Sequence, residues 1–178
     1  MHPDLERVLF TEEEIRARVK EVAAEISADY QGKELTLIAV LRGAVFFVTD
    51  LARVLTVPVR LDFLAVSPFP LGAESGVVRI AKDLDESICG QDVLLVEDIV
   101  DTGLTLRYLL KTLSARAPNS LAACTFLDKT PRHLIDVPVR YRCFEIPDRF
   151  VVGYGLDYQQ RYRNLPCVGV LKAEIFRG

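Results

Sequence analysis

An α/β fold with a mostly parallel central sheet is the architecture the sequence predicts, and three observations predict it. Helical and strand-like patterns alternate along the chain, as they do where parallel strands are joined by crossover helices. Short segments such as Leu35–Val40, Val93–Val96 and Leu121–Leu127 are almost uninterruptedly apolar, the mark of strands buried on both faces. Half of the 178 residues are hydrophobic, ample for one domain spanning 1–178 with a real core.

The elements follow in order. "TEEE" at Thr11–Glu14 spells a capping box, with Phe10 set to staple onto Ile15, so a helix starts there. Behind it Ile15, Val19, Val22 and Ile26 share one helical face, the face that buries. Leu35–Val40 is a central strand running into "LRGA" and a helix over roughly Val45–Leu55, and "VRLDFLAV", Val59–Val66, is a further strand. Ser67–Gly76 holds two prolines and two glycines between strand-like runs; it is either a plain surface loop or a mobile lid, and "VVRIAKDL" is the strand returning from it. Leu106, Leu109, Leu110, Leu113 and Ala117 form the apolar stripe of a helix closed by Pro118 and Asn119. The strand Leu121–Leu127 ends at Asp128-Lys129-Thr130-Pro131, and Phe150–Val152 and Val168–Leu171 are the strand candidates of a loop-broken last third.

Composition narrows the function. The formal net charge is -3, which offers no broad basic field for nucleic acid. The opening "MHPDLERVLFTEEEI" is charged and mixed, unlike a secretory signal. No apolar run approaches the roughly 20 residues of a membrane helix. The cysteines at 89, 124, 143 and 167 show no CxxC pairing, which suits reduced thiols in a cytoplasmic protein with no structural zinc.

One stretch carries chemistry. "VLLVEDIVDTGLTL", Val93–Leu106, is a buried strand that turns abruptly acidic and small. Ligands of open α/β sheets sit beyond the carboxyl ends of the strands, where this strand delivers Glu97 and Asp98. Asp101, Thr102 and Gly103 then lead into a helix whose N-terminus offers unpaired amides and a positive dipole end to a phosphate. Carboxylates beside it accept hydrogen bonds from sugar hydroxyls. The combination predicts a sugar phosphate as ligand. Any one of these residues alone would pass for a helix cap or a solvated strand end. Neither GxGxxG after a strand nor GxxxxGK[ST] occurs, so dinucleotide and P-loop sites are excluded.

This stretch resembles the phosphoribosyl-pyrophosphate (PRPP) motif of type I phosphoribosyltransferases, and its Glu-Asp followed by Asp-Thr-Gly resembles the 6-oxopurine branch. "LRGA" at Leu41–Ala44 is similar to the pyrophosphate loop, "LDK" at Leu127–Lys129 to the strand end with the purine-reading lysine, and Pro147–Leu165 to the base-stacking and metal-binding segment. The resemblance implies a single-domain fold of this type with a small hood and a flexible lid. It implies purine salvage: transfer of ribose 5-phosphate from PRPP to hypoxanthine and guanine, giving IMP or GMP and pyrophosphate, with Mg2+ required. Glu97 and Asp98 would hold the ribose hydroxyls. Asp101, Thr102, Gly103, Leu104 and Thr105 would hold the 5′-phosphate, Asp101 also serving as general base near the purine N7. Arg42, Gly43 and Arg163 would meet pyrophosphate, the Leu41–Arg42 peptide being cis. Lys129, Phe150, Val151 and Asp157 would bind the purine, and Glu97, Asp98 and Asp157 the metal. A homodimer or homotetramer is implied, with no nucleic-acid or membrane partner. Ser67-Pro68-Phe69 departs from the Ser-Tyr pair that closes the lid in most relatives. Two alternatives stay open: a PRPP-sensing regulator that binds RNA, and a transferase for xanthine or guanine alone.

Overall fold

The computed structural model describes residues 2–68 and 78–176. Thirteen elements follow one another: β1 (Leu5–Phe10), α1 (Glu12–Asp29), β2 (Leu35–Leu41), α2 (Val45–Val54), β3 (Val59–Pro68), β4 (Val78–Lys82), β5 (Asp92–Val100), α3 (Leu104–Ser114), β6 (Ser120–Asp128), β7 (Val139–Glu145), β8 (Val151–Val152), β9 (Val168–Leu171) and α4 (Ala173–Phe176). Six strands form the main sheet in the order β4-β3-β2-β5-β6-β7, and β1-β9-β8 form a second, smaller one. All pairings in the main sheet are parallel except β3 with β4.

Strand period decides the layers. In β2 and β5, Leu37, Ala39, Leu94 and Val96 face α1 and α2, while Ile38, Val40, Val93 and Leu95 face α3. Helices on both faces explain why these strands read as unbroken apolar runs. Each fully buried Leu, Ile or Phe contributes about 1.5–3 kcal/mol, and Phe47, Phe126, Leu37, Ile38 and Leu94 are all fully buried.

α1 begins as its sequence predicts. Thr11 Oγ1 accepts from the Glu14 amide, and the Glu14 carboxylate accepts from the Thr11 amide. Phe10 packs beside the Ile15 core and stacks on Phe144 at 3.9 Å. Farther along, Arg18 donates through Nε to the Cys143 carbonyl and through Nη2 to that of Arg142, both at 2.9 Å. At the end of α1, the Asp29 carboxylate accepts from Arg140 and from the Tyr141 hydroxyl. The helix thereby grips β7, the last strand of the sheet.

Two boundaries and two whole strands differ from expectation. α3 stops at Ser114, and Ala117 lies beyond it with φ +54, because its carbonyl turns to accept from the Gly90 amide. β3 runs on to Pro68, so Ser67 is a paired strand residue opposite Arg79 and not the start of a loop. β1 and β7 are strands that the alternation did not reveal. The expected lid, from Phe69 onward, lies outside the described residues.

Candidate active site

The topology brings the site together. β2 has β3 on one side and β5 on the other, so the winding of the sheet reverses between β2 and β5, where α/β sheets bind ligands. Register pairs Ala39 with Val96, so the Leu41–Gly43 turn and the Glu97-Asp98 pair emerge side by side. The Leu41–Arg42 peptide is cis, as the resemblance implied. A Cβ on Gly43 would fall on the Asp98 carboxylate, so only glycine lets this loop rest on β5. Gly155, with φ +101, likewise leaves room for the Gly43 carbonyl, which seats the 153–157 segment on the third side.

Electrostatics at the end of β5 are unusual. Glu97 is 5% exposed, and burial together with the neighbouring Asp98 charge pushes its carboxyl well above the usual range. Burial also pushes Asp98 up to about 6, against its bond from the Ile99 amide and the more distant Arg163. Among the described residues no basic side chain forms an ion pair with either. A buried and a half-buried carboxylate left without a cation are costly unless something positive or hydroxyl-rich joins them. Among the described residues no three His, Cys, Asp or Glu side chains gather into a ready-made metal cage.

Past β5 the chain makes a tight turn. Gly103 takes φ +83, a left-handed conformation in which a Cβ would also crowd Val137. The turn frames a cavity of about 120 Å³ lined by Glu97, Asp101, Thr102, Gly103 and Thr105, with Leu104 as the first residue of α3. Asp101 also lines a second cavity, of about 480 Å³, with Lys129, Arg132, Asp148, Phe150 and Phe176. Asp101 thus borders both a small compartment and a large one.

The other expected residues lie around these cavities. Lys129 is only 8% exposed at the end of β6, its Nζ 3.8 Å from Asp148 Oδ1. Phe150 is 38% exposed, but its ring is not free: it stacks on Phe176 at 4.8 Å and meets Tyr158 edge-on at 5.7 Å. Val151 of β8 pairs with Val170 of β9, and among the described residues β8 has no strand on its other side. Arg163 donates to the Gly155 carbonyl at 2.6 Å and pairs with Asp157 at 2.7 Å. Arg42 and Arg163 share one acceptor, Gln160 Oε1, at 3.1 and 3.3 Å, while the Gln160 backbone N–H donates to Asp157 Oδ2. Gln160, Arg132 and Asp148 are site residues the sequence did not disclose. Asp148 and Gln160 lie in the Pro147–Leu165 segment already singled out, and Arg132 lies three residues after Lys129.

Fold and site together define a phosphoribosyltransferase: residues 9–159 match the family described as "Phosphoribosyl transferase domain". Hypoxanthine-guanine phosphoribosyltransferase of Mycobacterium avium is 49% identical over 98% of this chain and 89% of its own. That of Staphylococcus aureus (strain Mu50) is 46% identical over 99% of both. Hypoxanthine phosphoribosyltransferase from Trypanosoma cruzi, solved in complex with the product IMP, superposes with a TM-score of 0.94 at 45% identity, covering 99% of each chain. The chain belongs to the hypoxanthine-guanine phosphoribosyltransferase family.

Proposed function

We propose that this single-domain enzyme transfers the 5-phosphoribosyl group of PRPP to hypoxanthine or guanine, giving IMP or GMP and pyrophosphate. The observation that carries the reading is Asp101, which lines both the small polar cavity and the large one. In this reading the small cavity takes the 5′-phosphate, on the amides and hydroxyls of Asp101–Thr105, and Glu97 and Asp98 orient the ribose hydroxyls. The large cavity takes the purine. Lys129 donates to its O6, the free edge of β8 at Val151 meets the base, and Phe150, with Phe176 on one side of its ring, supplies an aromatic wall.

The reaction is a substitution at the ribose C1′. A bond forms from the purine nitrogen to C1′ as the bond to the pyrophosphate oxygen breaks, and the proton on N7 passes to Asp101. Arg42, the Gly43 backbone and Arg163 receive the departing pyrophosphate. Both arginines are already gathered by Gln160; Arg42 would exchange its amide oxygen for an anionic acceptor, and Arg163 would turn to it from Gln160 while Asp157 and the Gly155 carbonyl hold its other contacts.

The donor set suits Mg2+, a hard cation that keeps several waters and uses one or two carboxylates with substrate phosphates. Glu97, Asp98 and Asp157 are the residues from which it would draw one or two carboxylate oxygens. Bound there it would offset the charge of the leaving group. A cytoplasmic setting goes with four cysteines that remain free thiols, and we read the assembly as a homodimer or homotetramer.

The test is steady-state nucleotide formation with PRPP, Mg2+ and hypoxanthine, guanine, xanthine or adenine in turn. IMP and GMP formation with weak use of adenine is expected. Absence of either product, together with retention of labelled RNA on a filter, would replace the enzyme reading with a regulatory one.

A further inference from the structure

We propose that Arg132 is a positioning residue for the Asp101 carboxylate, held in that role by Asp148. The inference rests on the function proposed above.

Arg132 Nε lies 2.5 Å from Asp101 Oδ1. Its Nη1 lies 3.2 and 3.3 Å from the two Asp148 oxygens. Lys129 Nζ lies 3.8 Å from Asp148 Oδ1. One chain of alternating charge, Asp101–Arg132–Asp148–Lys129, therefore borders the large cavity, with the two purine-reading groups at its ends.

An exposed arginine–carboxylate pair is ordinarily of little account, because ordering two long side chains cancels most of the attraction. This pair differs in how its backbone is tied. The Lys129 amide donates to the Val100 carbonyl at 2.9 Å, and the Leu134 amide donates to that of Thr102 at 3.0 Å. These two acceptors flank Asp101. Between the two ties, Thr130–Arg132 form a single 3-10 turn with Pro131 at its middle position. Beneath the turn, the wholly buried Asp128 meets His133 Nε2 and Arg142 Nε, each at 2.7 Å. The turn bearing Arg132 is thus tied to the turn bearing Asp101 by backbone hydrogen bonds on both sides of each.

A guanidinium suits this place because its planar fork reaches two carboxylates from different nitrogens in a single side-chain conformation, which an ammonium cannot reproduce. With Oδ1 engaged by Arg132, the Asp101 side chain is confined while its second oxygen is left for the purine. A reacting group misplaced by about 1 Å can cost on the order of 10²-fold in rate. The chain of charges sets that placement before the purine arrives and links it to the lysine at the other edge of the base.

The experiment is a double-mutant cycle on nucleotide formation. Arg132→Gln is expected to lower kcat for IMP formation by roughly 30-fold, with the KM for PRPP changed by less than about twofold. In an Asp101→Asn background the same substitution should have almost no further effect, because it acts through Asp101. Arg132→Lys should recover only part of the loss, and Asp148→Asn should lower kcat by a smaller factor that also vanishes without Asp101. If Arg132→Gln lowers the melting temperature sharply, the Arg132→Lys and Asp148→Asn cycles decide in its place. Losses that simply multiply in the Asp101→Asn background, or an undiminished kcat, would overturn the inference. A wild-type protein that forms no nucleotide would instead overturn the function on which it rests.

Discussion

At the scale of single residues, the proposed function gives Asp101 and Lys129 separable roles, and substitution distinguishes them. Asp101→Asn keeps the size of the side chain and removes its basicity. PRPP binding should survive while nucleotide formation falls by about 10²-fold, the usual scale of a general base, as measured by ligand titration beside single-turnover rates. Lys129→Gln should act on selectivity. An ammonium has donors only, so in the proposed site it would pair with O6 and oppose the amino group of adenine. Sites built on such a contact discriminate by up to about 10⁴-fold. Glutamine offers both donor and acceptor, so the hypoxanthine-to-adenine ratio of kcat/KM should collapse, chiefly through lost hypoxanthine activity. The positions of both residues were legible because they follow apolar strands, where a parallel sheet presents its ligand contacts. Arg132, Asp148 and Gln160 were not. Their meaning lies in partners that only the fold brings near, and no spacing along the chain encodes a guanidinium 31 positions from its carboxylate (132 minus 101). Phe150 was half legible: an exposed aromatic beside the site, but one whose ring already rests on Phe176.

At the scale of elements, the end of β5 places charge where burial opposes it. In the unfolded chain Asp98 loses its proton near 3.8, and in the folded protein near 6. Between those values the folded state holds a proton the unfolded state has released, so stability falls as pH rises through this window. Two units correspond to about 3 kcal/mol at most, and Glu97 shifts in the same direction. In metal-free buffer Asp98→Asn should therefore melt above the parent at pH 8, and the gap should close near pH 4. Calorimetry of both proteins at the two pH values checks this, and a constant gap would remove Asp98 as its source. The strand itself was plain in the sequence, as was the cap of α1. β1 was hidden because its pairing with β9 is broken by two register shifts, which spoil the alternation a regular strand displays. α3 was drawn too long because Ala117 continues the apolar period, although the chain has already turned away.

For the molecule as a whole, the two sheets share one interior. Val151, Val168 and Val170 of the small sheet belong to the same buried cluster as β2, β5, α1 and α2. At its centre Phe126 meets Tyr154 at 4.7 Å, Phe47 at 5.5 Å and Phe144 at 5.7 Å between ring centres. Phe126→Ala should cost about 3–5 kcal/mol, and both parent and variant should unfold in one calorimetric transition. Two transitions would mean that the small sheet melts by itself. The layered α/β plan could be read from the order of apolar runs; the second sheet could not, because β1 and β9 lie at opposite ends of the chain.

The grip of α1 on β7 bears on what happens between molecules. The outermost strand of an open sheet offers unused carbonyls and amides to any other chain, and proteins that leave such a border bare are prone to clump. Arg18 occupies the carbonyls of Arg142 and Cys143, and Asp29 ties down Arg140 and Tyr141. A charged helix therefore stands guard over that border. Arg18→Ala should leave turnover per active enzyme unchanged yet lower the concentration at which the purified protein begins to scatter light on mild warming. Unaltered scattering would mean that β7 is shielded by other means.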